Sequence, residues 1–276
     1  MNIKRSNITS IMTLILSLLA LYAALAGVLD KSLYREVFEA GTIHERIIWG
    51  SMAQDIISIP IAAILALLSA MSLIRPGVKR LTLIIGLAWY FFYAYGLYTV
   101  QGQYTRIYLV YIAIFGLSIY SMIFGLLSFK TAELEYYKLP GILRITASAF
   151  LIVMVIMMVT VWVIRISPDI AAHIPAPTYG VYILDLSMVF PATTIIAIML
   201  LQKKQLGSIL GAIALLKVFT LCFSWFFGEI TGPLAKIPMS IDMAVISGTL
   251  SIIGLIIFLP YFIKLKRSSS YESSNT

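Results

Sequence analysis

Four ionisable residues stand inside or at the edge of long apolar runs: Asp55, Asp185, Asp242 and Lys217. Charged groups in a low-dielectric medium are costly, so each needs a partner or a function. Lys217 falls near the middle of its run, where an ammonium loses most of its hydration and seeks a carboxylate. Asp185, on the preceding run, is the natural candidate. Lys217, Thr220 and Ser224 recur at i, i+3 and i+7, which gives one polar face to an otherwise apolar helix. Aromatics crowd the same half. One run carries Trp89, Tyr90, Tyr93, Tyr95 and Tyr98, and the next opens with Tyr104, Tyr108 and Tyr111. Some of these suit an interfacial belt. Tyr90 and Tyr93 fall deeper, where a hydroxyl needs a hydrogen-bond partner. The expected chemistry is polar-solute binding, in an outward-opening pocket built from Gln54, Asp55, Tyr90, Tyr93, Asp185, Lys217 and Asp242.

Each feature has a plainer reading. A buried Lys–Asp pair and tyrosine hydroxyls can simply hold helices together. Asp55 and Asp242 fall near the starts of their apolar runs, where a carboxylate favours the positive end of the helix dipole. His44 and His173 read as solvated loop residues, since no spacing supplies three or four convergent metal ligands. The single cysteine, Cys222, reads as a buried inert thiol, and it excludes a disulfide framework within the chain. No phosphate-binding Gly-x-x-x-x-Gly-Lys loop, His-Glu-x-x-His or Gly-x-Ser-x-Gly pattern occurs. The sequence therefore implies no cofactor, no metal and no ATPase of its own.

The elements that must position these residues are transmembrane helices. Of 276 residues, 61% are hydrophobic and 12% charged, with mean hydropathy +0.97. Soluble domains are about 45–50% apolar and about 25% charged. Eight runs are long enough to cross ~30 Å of hydrocarbon at ~1.5 Å per residue. They cover 8–29, 53–74, 81–100, 107–129, 143–165, 179–201, 206–227 and 241–263. The fold class is thus an all-α polytopic transmembrane bundle. Ser32 to Glu39, in the longest loop, is expected to form a short interfacial helix.

The net charge of +8 has no basic stripe interleaved with aromatics, so nucleic acid is not an expected partner. Basic residues instead set topology. Lys4, Arg5, Arg75, Lys79, Arg80, Lys130, Lys138, Arg144, Lys203, Lys204, Lys264, Lys266 and Arg267 fall on one side. Lys31, Arg35, Arg46, Arg106, Arg165 and Lys236 fall on the other. The richer side is expected to be cytoplasmic, facing anionic headgroups, with both termini there and the chain in the plasma membrane. Asn7-Ile8-Thr9 would then be a silent glycosylation acceptor. Lys4 and Arg5 followed by an apolar run and Ala24-Leu25-Ala26 resemble a signal peptide, but the run is long enough to remain as an anchor.

A weak internal repeat is visible. The second and sixth runs each place an Asp before a Pro: Asp55 before Pro60, Asp185 before Pro191. Each is followed by a basic turn and a helix with an early glycine, Gly86 and Gly211. Gly116-Leu117-Ser118-Ile119 in the fourth run has its counterpart in Gly248-Thr249-Leu250-Ser251-Ile252 in the eighth. The expected units are 8–129 and 143–263, four spans each in the same orientation, related by an axis along the membrane normal. Residues 264–276 are expected to be a disordered cytoplasmic tail.

Gln54-Asp55, the tyrosine-rich third run with Tyr90, Tyr93 and Tyr95, and Asp185 to Pro191 followed by Lys217 resemble a widespread group of bacterial and archaeal polytopic membrane proteins. The resemblance implies the multi-span topology and the polar cluster, and brings no assigned activity with it. Three functions fit the sequence. The leading one is transport or binding of a small polar or cationic solute from the outer side. The second is a membrane-embedded enzyme acting on a lipid or isoprenoid, with Asp185 as general base tuned by Lys217. The third is an accessory or sensor protein whose buried charges only specify packing.

Overall fold

The computed structural model describes all residues except 42, 131–133, 135–136 and 268–276. Among the described residues, eight helices are long and apolar enough to span a bilayer, and the chain is a multi-pass membrane protein. In chain order the elements are α1 (Ile3–Leu29), a short α2 (Lys31–Glu39), α3 (Glu45–Ile74), α4 (Val78–Val100), α5 (Tyr108–Leu126) and α6 (Gly141–Ala172). There follow α7 (Tyr179–Leu201), α8 (Gln205–Thr231) and α9 (Ile241–Lys264). The expected interfacial helix is α2. Its apolar stripe of Leu33, Tyr34 and Val37 is buried against the bundle.

One boundary matters for function. Asp55 was expected near the start of its helix, but α3 begins at Glu45, which leaves Asp55 in the third turn. A run of apolar residues marks where lipid begins, and a helix continues past that point through the headgroups. The dipole at the helix start therefore does not explain Asp55.

Two ends of the bundle are defined by cross-helix bonds. At the end bearing the termini, Asn2 N donates to Ser128 O at 2.8 Å and Lys79 Nζ donates to Phe262 O at 2.8 Å. There too Tyr137–Lys138 (β1) pairs antiparallel with Lys266–Arg267 (β2). Residues 264–267, expected as part of a disordered tail, are thus placed by the end of α9 and this bridge; the rest of the tail lies outside the described residues. At the opposite end, Trp49 Nε1 donates to Gly228 O at 3.1 Å and Gln101 Nε2 to Pro177 O at 2.6 Å.

The core lies around α4 and α8. Of the residues in their apolar stretches, 78% and 67% are buried, against 28–50% in the other six spans. α4 packs against α5 and α8, and α8 against α9, α7 and α3. α1 packs on α3 and α5, while α6 packs on α7 and α9. Small residues allow the close approaches. The buried face of α1 is Ser6, Thr9, Ser10, Thr13, Ser17, Ala20, Ala23, Ala24 and Gly27 around a single Leu16. Thr13 and Ser69 share a hydrogen bond at 2.8 Å from α1 to α3.

Within α7 the α-helical pattern gives way to a π-turn at Asp185–Val189, where Phe190 N–H reaches back to Asp185 O. Such a turn absorbs one extra residue, and single π-turns inside α-helices are often found at functional sites. Here it sits between Asp185 and Pro191. α3 runs from Asp55 to Pro60, one residue fewer, with no interruption.

Candidate functional site

A cavity of about 530 Å³ opens at the end opposite the termini and reaches into the centre of the bundle. Its rim includes His44, Pro177, Thr178, Pro238 and Ser240 from the connections, and its lining descends to Phe190, Lys217 and Leu250. The wall is mostly aromatic and aliphatic: Trp49, Tyr93, Tyr182, Trp162, Trp225, Met154 and Met158. A chamber of this size and lining suits a small organic molecule.

Two charged residues share its depth. Lys217, thirteenth of the 27 residues of α8, is 3% exposed. Its ammonium lies 4.9 Å from the centre of the Tyr93 ring and 5.9 Å from that of Trp89, within cation–π range. Asp185, 5% exposed on α7, accepts a hydrogen bond from Trp162 Nε1 at 2.7 Å. Trp162 in turn packs edge-on against Tyr182, with centroids 5.4 Å apart, and beside Trp225 at 5.9 Å. Lys217 and Asp185 are electrostatic neighbours. Among the described residues, however, neither belongs to an ion pair within 4 Å. The expected salt bridge is replaced by two charges turned toward one space, one resting on aromatic faces and the other held by an indole.

The seven residues expected to share a pocket divide into three places. Gln54, Tyr93, Asp185 and Lys217 line the cavity. Gln54 is fixed by donating Nε2 to Ala94 O at 3.1 Å. Asp55 and Tyr90 lie outside the lining. Asp55 is 1% exposed in a cage of phenols, with Oδ2 accepting from Tyr34 of α2 and Oδ1 lying 3.0 Å from Tyr98 Oη of α4. Tyr90 bonds Ser58 at 2.9 Å. Asp242 stands on the surface at the cavity's end of the bundle, bonded to Ser240 and paired with Arg165 at 2.5 Å. It occupies the first turn of α9, as dipole compensation predicts. Of the polar face Lys217–Thr220–Ser224, Lys217 and Ser224 reach the cavity. Thr220 bonds back to Leu216 O of its own helix at 2.9 Å.

Several residues of the site escape a reading from sequence. Trp162 gives no signal that it faces Asp185, because the middle of α6 from Phe150 to Val159 is apolar on every side and its inward face emerges only on packing. Tyr34 lies in a loop by hydropathy. The stripe Leu33–Tyr34–Val37 was the available clue that α2 turns one face inward. Burial holds the Tyr34 phenol well above the ordinary tyrosine value, so it remains a donor. Among the described residues no group of three or more potential metal-ligating side chains converges.

No protein-family model, curated protein or solved structure matches the chain.

Proposed function

We propose that the protein binds a small amphipathic organic solute in this cavity, from the face opposite its termini, as the first step of moving it across the membrane. The single observation that carries this reading is the relation of Lys217 to Asp185: opposite charges facing one chamber and unpaired with each other. A pair that served only to hold helices would close on itself, because the low dielectric rewards contact. Held apart, the ammonium can receive an anionic group and the carboxylate a cationic or hydrogen-bonding one. A zwitterion with an apolar body satisfies both charges and the aromatic wall together.

Two further features support transport. The cavity has its rim at one end of the bundle. Its lining ends at the level of Lys217, below which Leu216 packs into the space left by Gly86. A division into two halves of four spans, which would suit alternating access, is supported by the likeness of their helix packing. In the first, α1 lies on α3 and α5, α3 on α4, and α4 on α5. In the second, α6 lies on α7 and α9, α7 on α8, and α8 on α9. The third helix of each half, α4 and α8, forms the centre. The π-turn supplies the one-residue difference between Asp55–Pro60 and Asp185–Pro191, as a duplication followed by an insertion would leave it. We place the termini in the cytoplasm on the distribution of basic residues, so that the mouth faces outward.

The test is equilibrium binding to purified protein in nanodiscs. The probes are zwitterionic amino acids with apolar side chains, with matched amines and carboxylates carrying one charge. Saturable zwitterion binding that is lost in Lys217→Met and in Asp185→Asn is expected. Binding unchanged in both variants overturns the reading. Conversion of a bound compound to product would point instead to a membrane enzyme.

A further inference from the structure

We propose that Asp55 is a proton-binding site, separate from the solute cavity, that loads and releases its proton through Tyr98. The argument is a count of hydrogens. Tyr98 Oη lies 2.8 Å from Ser51 O and 3.0 Å from Asp55 Oδ1. A phenol owns one hydrogen, whereas a carbonyl oxygen and an ionised carboxylate oxygen can only accept. With Asp55 ionised, one of these two contacts has no hydrogen. With a proton on Oδ1, the acid donates to Tyr98 Oη, Tyr98 donates to Ser51 O, and Tyr34 donates to Oδ2. Every contact is then filled.

The surroundings favour the same state. Gly27 of α1, Tyr34 of α2 and Tyr98 of α4 stand against Asp55, and Tyr90 and Tyr95 of α4 and Tyr111 of α5 are its electrostatic neighbours. None of these is a cation. Arg106, on the adjoining surface, is engaged by Asp30 and Glu36. An ionised carboxylate buried without a counter-charge is strongly disfavoured, and a protonated one is not.

The proton has a route. Ser51, Gln54 and Tyr98 line the cavity, while Asp55 stands one hydrogen bond behind Tyr98. In loading, a hydronium in the cavity gives a proton to Tyr98 Oη while the original Tyr98 hydrogen passes to Asp55 Oδ1. Water and a neutral carboxylic acid result, and release reverses the step with no change of oxidation state. Protonation also bears on α2, because the Asp55 carboxyl is the polar anchor of Tyr34. Buried acids of this kind form proton relays in pumps and transporters.

Infrared difference spectroscopy on the full-length protein in nanodiscs tests this without any solute, so it can fail while the binding reading stands, and the reverse. The wild type is expected to show the carbonyl stretch of a protonated carboxylic acid at neutral pH, shifting on transfer to D₂O. Asp55→Asn should remove that band and Asp185→Asn should leave it. Tyr98→Phe should keep it but slow its deuteration several-fold. A folded wild type with no such band, or a band surviving Asp55→Asn, overturns the site. Unchanged deuteration in Tyr98→Phe overturns the route. Should Asp55→Asn fail to fold, Tyr34→Phe replaces it: loss of the Oδ2 hydrogen bond must shift the band, and an unshifted band overturns the assignment.

Discussion

Lys217 and Asp185 reach into one cavity from neighbouring helices, yet the ammonium rests on the Tyr93 ring at 4.9 Å and the carboxylate takes its hydrogen bond from Trp162 at 2.7 Å. The separation makes binding and stability separable, since neither charge is the other's sole support.

Replacing Lys217 by methionine and Asp185 by leucine together therefore should not weaken the fold. Two buried charges exchanged for apolar side chains of similar volume are often neutral or stabilising, whereas removing one alone leaves the other uncompensated. We expect the double variant to melt at or above the wild-type temperature in detergent, together with loss of zwitterion binding. A large fall in melting temperature would assign the two charges to packing.

Trp162→Phe keeps an aromatic wall but removes the indole N–H that fixes Asp185. A hydrogen bond to a charged group contributes about 1.5–3 kcal/mol, so solute affinity should fall by roughly ten- to a hundredfold. Titration calorimetry with the zwitterion that binds the wild type measures this, and an unchanged Kd would dissociate Trp162 from the site.

Gly27→Ala strikes the phenol cage from α1. A Cβ there would collide with Asp55 Oδ2 and stand 3.0 Å from Tyr34 Oη, inside van der Waals contact with both. Overpacking of this kind costs about 1–3 kcal/mol. The expected result is a lower melting temperature and exposure of α2 to proteolysis, both partly relieved by Asp55→Ala in the double variant. Unaltered stability would show that the cage yields easily.

Tyr98→Phe separates the two charge states of Asp55 by stability. Interhelical hydrogen bonds in membrane proteins average about 0.6 kcal/mol, so a neutral Asp55 loses little when one phenol goes. An ionised Asp55 would lose a charge-supporting donor and cost several-fold more. We expect a small drop in the denaturant midpoint at neutral pH, and a large one would mean that the carboxylate is ionised.

Lys79→Met addresses the end of the bundle bearing the termini. Lys79 Nζ caps α9 at Phe262 O, 2.8 Å away, and lies 5.0 Å from the Phe262 ring centre. Loss of this cap should cost about 1 kcal/mol and leave solute affinity unchanged, because the cavity opens at the other end. A change in affinity would mean that the two ends communicate.

The sequence by itself determined the medium and the elements. Eight apolar runs and the breaks between them follow from local chemistry, because a lipid-exposed backbone must bond within its own helix and so cannot choose another structure. The cost of intramembrane charge likewise marked Asp55, Asp185 and Lys217 as residues needing a reason. What each reason is was decided by tertiary structure. Asp55 and Asp185 have the same local context, an aspartate ahead of a proline, but one is enclosed by Tyr34 and Tyr98 and the other faces an open chamber. Asp242, in the first turn of α9, stands on the surface paired with Arg165. The difference lies in which helices lie opposite. That depends on packing between distant segments such as α4 and α8, on the extra residue taken up by the π-turn of α7, and on a short amphipathic helix folding inward. Hydropathy registers the price of burying a group, whereas the partners that meet it come from elsewhere in the chain and are fixed only when the helices assemble.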